Sequence, residues 1–252
     1  MVMQVTERYF TMEGEQAVVH LPERPNGFLI LILGDVNHYV GGNTSLWHQN
    51  PDRRRFIELL KNEGYTIVYS NQYGRHWGNE EAYRLTKRVI KETLQTEILN
   101  PRFHVFAEGM GALLALRLLA DHPDQLRSVV LYNPCLSLKA YLEHERSSLF
   151  FYKRFKKELA AAYGEDEAVQ EKAVELPSAL WKKTCPETMV RIFHCVFQRT
   201  YPLDQHSRPF AETLREREAP VELTVFLPGK QLPDFAGPVR KFLAGYNELR
   251  KL

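Results

Sequence analysis

The run Phe103-His104-Val105-Phe106-Ala107-Glu108-Gly109-Met110-Gly111 passes directly into Ala112-Leu113-Leu114-Ala115-Leu116-Arg117-Leu118-Leu119. The first part has the β-branched and aromatic content of a buried strand, and the second is built from strong helix formers. No spacer separates them, so the backbone must switch from extended to helical at Glu108–Gly111. Gly109 and Gly111 supply the freedom that such a corner needs. A strand running straight into a helix is the building unit of a parallel sheet covered by helices.

The rest of the chain repeats that alternation. Residues 4–11 and 16–21 surround Met12-Glu13-Gly14-Glu15 and predict a hairpin at a sheet edge. Phe28 to Leu33 is apolar on both faces, as a central parallel strand requires. It ends in the polar loop 34–43. Asn50-Pro51 reads as N-cap and first residue of a helix that runs to about Glu63 and stops at Gly64. Tyr65 to Ser70 is the next strand, and Asn79 caps a second helix whose first turn carries Glu80 and Glu81. His122-Pro123 ends the helix after the corner, and Ser128 to Tyr132 is a further strand. The alternation then stops. Tyr141 to Tyr163 and Asp166 to Val174 read as helices split by Gly164, and no strand is expected between about 138 and 187. A strand from Met189 to Phe197, a helix ending near Arg217, a strand from Val221 to Leu227 and a last helix near Leu252 complete the pattern. The expected architecture is α/β, a mostly parallel twisted central sheet with helices on both faces. Residues 1–137 and 188–252 form its core, and 138–187 form a helical insertion.

Composition narrows the function classes. Thirty-three Lys and Arg nearly balance 31 Asp and Glu, so nothing points to a nucleic-acid partner. The amino terminus lacks a basic-then-apolar leader pattern, and the apolar runs are too short to span a bilayer. Cys135, Cys185 and Cys195 are scattered without metal-ligand spacing. No nucleotide fingerprint, phosphate-binding loop or zinc signature is present. The expectation is a cytoplasmic protein with no cofactor, no metal and no membrane partner.

The corner resembles the nucleophile elbow of the α/β-hydrolase family, whose pattern is Gly-x-Ser-x-Gly. Asp121-His122-Pro123-Asp124-Gln125-Leu126-Arg127-Ser128-Val129-Val130-Leu131 resembles the segment that follows the elbow in esterases of that fold. Gly74-Arg75-His76-Trp77-Gly78 stands where the family has a glycine-containing turn. The resemblance implies that the helical insertion is a cap over the active site, an ordinary helical hairpin being the alternative. It also places the catalytic positions. Gly109 falls on the nucleophile, Gln198 on the acid, and Leu232 on the histidine, with Gln231 the neighbouring choice. Asn133-Pro134-Cys135, where some members carry the acid, has no carboxylate. Gly109 has no side chain with which to attack, and neither Leu232 nor Gln231 can act as a base. The implied function is therefore that of a pseudo-hydrolase that binds a small molecule or a protein partner in the former pocket, as a monomer or an oligomer.

Other residues keep alternatives open. Glu108, beside the side-chain-free position, reads either as a ligand-binding or proton-moving carboxylate or as a structural partner of nearby backbone or Arg75. Asn37 and His38 lie in the loop that helps form the family's oxyanion hole, and His38 reads as a base or as a solvated loop histidine. Tyr73, Arg75, His76 and Trp77 follow a strand's carboxyl end, where open α/β sheets bind ligands, or else simply pack beneath the insertion. Met110 completes the expected pocket lining. Cys135 and Cys195 read as buried, inert thiols. An enzyme with a mechanism relocated to Glu108, His38 or a cysteine is the second functional reading, and an interaction protein with a filled pocket is the third. Serine restored at position 109 is expected to cost about 1 kcal/mol in backbone strain and to remain inactive for want of a base.

Overall fold

The computed structural model describes residues 6–184 and 187–248. Cys185, residues 4 and 5 of the expected first strand and residues 249–252 of the expected last helix lie outside the described residues. The expected hairpin is β1 (Glu7–Met12) and β2 (Glu15–His20), paired antiparallel at one edge of the sheet. β3 (Leu29–Leu33) is buried along its whole length, as its unbroken apolar run demands. After it come a short helix α1 (Leu46–Gln49), which the sequence reading did not find, and α2 (Pro51–Asn62). β4 (Thr66–Ser70), α3 (Glu80–Thr96), β5 (Phe103–Glu108), α4 (Ala112–Asp121) and β6 (Leu126–Tyr132) follow. Gly109–Gly111 forms one 3-10 turn between β5 and α4.

The caps behave as their chemistry requires. Asn50 Oδ1 accepts the Arg53 N–H at 3.0 Å, and Asn79 Oδ1 accepts the Ala82 N–H at 2.9 Å. Each satisfies a helix-end donor that has no intrahelical acceptor. Asn50→Ala should lower stability by about 1 kcal/mol, read as a shifted urea midpoint with an unchanged slope.

Between β6 and the next strand lie α5 (Leu138–Glu145), α6 (Leu149–Tyr163) and α7 (Glu167–Trp181). The sequence reading needs two corrections here. The helix expected over Tyr141–Tyr163 is broken between Glu145 and Leu149, at Arg146-Ser147-Ser148. The helix expected to end at Val174 continues to Trp181 with Pro177 inside it. Proline there forfeits one backbone hydrogen bond, and the packing of Val174, Pro177 and Leu180, all buried, holds the helix together across it. β7 (Met189–Cys195), α8 (Ser207–Glu216), β8 (Val221–Phe226) and α9 (Ala236–Glu248) finish the fold.

The eight strands form one sheet in the order β1-β2-β4-β3-β5-β6-β7-β8, parallel from β4 through β8. Alternation along each strand feeds two cores. Leu29, Leu31 and Leu33 join Val105 and Ala107 against α3 and α4, while Ile30, Ile32 and Phe106 join Trp47, Phe56 and Val239 on the α2 and α9 side. A third cluster ties the inserted helices to the sheet through Trp77, Met110, Tyr141, Phe155 and Tyr201.

Candidate functional site

The carboxyl ends of β3, β4, β5, β6 and β7 bring the chemistry-bearing loops together. The Leu33–Ala107 pair fixes the register of β3 against β5. Asp35 and Gly109 each stand two residues beyond that pair, so the sheet sets them side by side. Gly109 has φ +51, a backbone that favours glycine. A Cβ at this position would lie 2.1 Å from both Cγ and Oδ1 of Asp35. The place a side chain at 109 would take is thus filled by the Asp35 carboxylate. Asp35 Oδ1 accepts the Met110 N–H at 2.8 Å and the Tyr201 hydroxyl at 3.1 Å. Tyr201 is buried, and burial followed by the Asp35 charge holds its hydroxyl proton well above the ordinary phenol range. The second glycine of the corner has a different reason. A Cβ at Gly111 would meet the Leu33 carbonyl at 2.4 Å, so only glycine lets α4 start this close to β3.

The residues expected to line a pocket beside Gly109 make close contacts of their own. Met110 is buried, and its Sδ accepts the Trp77 N–H at 3.4 Å. The Trp77 ring stacks on Tyr141 at 5.1 Å and meets Phe155 edge-on at 4.9 Å. Its Nε1–H donates to Glu158 at 3.1 Å, and Arg75 pairs with the same carboxylate at 2.7 Å. Arg75 and Trp77 thus fasten α6 to the loop after β4 instead of lining an open cleft. His76 is buried, accepts the Gly78 N–H on Nδ1, and burial lowers its pKa to about 3. Tyr73 turns away toward the hairpin, where its N–H donates to Glu15 at 3.1 Å.

Two further readings are corrected. His38 is not solvated. It is buried and donates from Nε2 to the Ser70 carbonyl at 2.9 Å, and burial lowers its pKa to about 4. Asn37, beside it, is exposed in the turn closed by His38 N–H to the Asp35 carbonyl. Glu108 pairs not with Arg75 but with Arg53 of α2, whose Nη2 lies 2.7 Å from Oε2. Strand alternation explains this, because Glu108 shares a face with Phe106, which packs on Phe56 one helical turn from Arg53. Burial, opposed by Arg53, leaves the Glu108 carboxyl above its ordinary pKa.

The remaining positions have structural partners. Gln198 is half-buried and its Oε1 accepts the Thr200 N–H at 3.3 Å. Leu232 is buried in the α2 and α9 core. Asn133 adopts φ +43, and its Oδ1 accepts the Cys195 N–H at 2.8 Å, tying the ends of β6 and β7. Cys135 is buried, which raises its thiol pKa, and its N–H donates to the Gly109 carbonyl at 2.8 Å. Cys195 is only half-buried. Among the described residues, no three His, Cys, Asp or Glu side chains group to hold a metal. Asp35 is the residue that sequence reasoning missed, although its register beside Gly109 follows once β3 and β5 are known to be neighbours.

The solved structures similar to this chain share its architecture. The acylaminoacyl peptidase of Pyrococcus horikoshii superposes with TM-score 0.70 at 14% identity, over 96% of this chain and 41% of that one. Est1E from Butyrivibrio proteoclasticus gives 0.68 at 13% identity, over 96% and 99%. The chain has the α/β-hydrolase fold. A puromycin-hydrolyzing peptidase of Mycobacterium tuberculosis gives 0.71 at 16% identity, over 100% of this chain and 41% of that one. This α/β-hydrolase-fold chain thus spans about two-fifths of either peptidase but nearly the whole of Est1E. No protein-family model and no curated protein matches it.

Proposed function

We propose that this α/β-hydrolase-fold protein is non-catalytic and works by binding, with Gly109, Gln198 and Leu232 standing where a hydrolase keeps nucleophile, acid and base. The observation that carries the reading is the Asp35 carboxylate in the side-chain place of position 109. In the family pattern, the N–H after the nucleophile helps stabilise the oxyanion. Here that donor is Met110, and Asp35 takes it. On this reading α5 to α7 are a cap, drawn down onto the site by Trp77, Tyr141 and Phe155.

The alternative, a relocated hydrolase or lyase mechanism, has less support. Glu108 is engaged by Arg53, His38 is a buried neutral donor to Ser70, and the Cys135 thiol is buried and held protonated. The hydrolytic activities named for the similar structures are not carried over, since those likenesses concern the fold. Of the two kinds of partner, a small molecule in the elbow pocket and a macromolecule at the surface, the filled corner favours the second.

The test is covalent labelling and turnover. A serine-directed fluorophosphonate probe should leave the protein unmodified, and nitrophenyl acetate and butyrate should hydrolyse at the rate of the buffer. Stoichiometric labelling of a serine near the corner would overturn the reading.

A further inference from the structure

The start of α6 presents its apolar side chains to solvent. Leu149 is 66% exposed, Phe150 71% and Phe151 43%, and the two rings meet edge-on at 5.4 Å. Exposed large apolar groups set side by side mark a contact surface more than isolated ones do. Three consecutive helical residues project about 100° apart, so they do not form the i, i+3, i+4 stripe that enters a partner's groove. They can all be immersed together only in a medium that the helix meets end-on.

The charges along this stretch of the chain have one sign. Between Glu145 and Glu158 the chain carries five cations, Arg146, Lys153, Arg154, Lys156 and Lys157, and no carboxylate. Lys153 and Lys157 are exposed and have no carboxylate partner among the described residues. Arg154 lies over the Phe151 ring at 5.1 Å. A groove of about 350 Å³ separates this corner from the loop after β7 and is lined by Phe151, Arg154 and Arg199, with Glu145 its one carboxylate. Phe197, two residues before Arg199 in the chain, is 68% exposed. Aromatic and aliphatic side chains ringed by Lys and Arg match a bilayer surface, where acyl chains take the apolar groups and anionic headgroups take the cations. A soluble acidic partner would match the charge but not the splayed rings.

We propose that the α5–α6 corner docks this protein onto an anionic phospholipid surface. Leu149, Phe150 and Phe151 enter the acyl boundary, and Lys153, Lys157 and Arg199 bind headgroup phosphates. This is peripheral docking: among the described residues no helix is long and apolar enough to cross a membrane. It departs from the sequence-based expectation of no membrane partner, and it does not depend on whether the elbow is catalytically silent.

The test is co-sedimentation of the full chain with vesicles of phosphatidylcholine alone and of phosphatidylcholine mixed with phosphatidylglycerol. Binding is expected to the mixed vesicles only and should fall steeply as salt shortens the screening length. Phe150→Ser with Phe151→Ser should weaken it by about tenfold or more. Lys153→Gln with Lys157→Gln should weaken it by roughly fivefold per cation. Because these side chains are exposed, the variants should keep the native thermal midpoint, which separates lost docking from lost folding. No binding to mixed vesicles at low salt would overturn the proposal, as would equal binding to both vesicle types. Unchanged binding by the phenylalanine variant, together with full competition by soluble polyglutamate, would assign the surface to an acidic protein instead.

Discussion

Gly109→Ser should lower stability by about 3 kcal/mol, read from the urea midpoint, even though glycine and serine differ by only a few atoms. Backbone strain at φ +51 accounts for about 1 kcal/mol of that. The rest comes from the Asp35 carboxylate, which a Cβ would meet at 2.1 Å. Overpacking of this kind typically costs 1–3 kcal/mol. Moving Asp35 aside is no escape, because the Met110 N–H and the Tyr201 hydroxyl then lose their acceptor. Asp35→Ala alone should therefore also destabilise, and the double variant should be at least 1 kcal/mol more stable than the two single losses added together. A single-variant cost near 1 kcal/mol would mean that Asp35 swings away freely and that the corner is not blocked. Ester hydrolysis should stay at background in both serine variants. The serine would gain no base in either variant, since Leu232 and Gln198 cannot take its proton.

Arg53→Met should cost a comparable amount, about 3–5 kcal/mol, at neutral pH. Arg53 and Glu108 side chains are 21% and 13% exposed, so removing the guanidinium leaves a nearly buried carboxylate without its counter-ion. The loss should depend on pH in a definite direction. Burial already holds the folded Glu108 carboxyl above its ordinary 4.5, and losing Arg53 removes the main opposing pull. A carboxyl with a raised folded pKa binds its proton more tightly in the folded chain. Its contribution is full below the unfolded value and is lost as pH rises through the folded one. The Arg53→Met deficit should therefore be largest at neutral pH and shrink as pH falls toward 4.5. Arg53→Met combined with Glu108→Leu should return close to native stability, since an apolar pair replaces the ion pair without a stranded charge. A pH-independent deficit, or no rescue in the double variant, would show that Arg53 acts through its packing over Trp47, where its guanidinium sits 5.4 Å from the ring centre.

The alternating elements were legible because their signals are local. The unbroken apolar run of β3, the Asn50-Pro51 start of α2 and the glycines of the corner each act within a few residues. The inserted helices were less so. Arg146-Ser147-Ser148 breaks a helix without any glycine or proline, and Pro177 sits inside one because buried neighbours override its propensity. The site was hardest to read because its contacts join distant segments. Asp35 reaches Met110 across 75 positions, and Tyr201 reaches Asp35 across 166. The burial of His38, which looks like a loop residue in sequence, depends on Gly34, where a Cβ would collide with the imidazole at 2.2 Å. Strand alternation could have named Arg53 over Arg75 as the partner of Glu108, but only after α2 had been assigned to the Phe106 face.

The Asp35–Met110 contact also sets a threshold for any free ligand. A carboxylate tethered to the end of β3 meets the Met110 amide at an effective concentration of the order of millimolar or more, as linked groups generally do. A dissolved acid or phosphate seeking the same N–H competes against a ligand that never diffuses away. Its apparent affinity is weakened by about the ratio of that effective concentration to the carboxylate's own dissociation constant, before its own contacts count. Access to this amide is thus governed by the loop that carries Asp35, and Asp35→Asn, which keeps the shape but removes the charge, is the change that would lower the threshold.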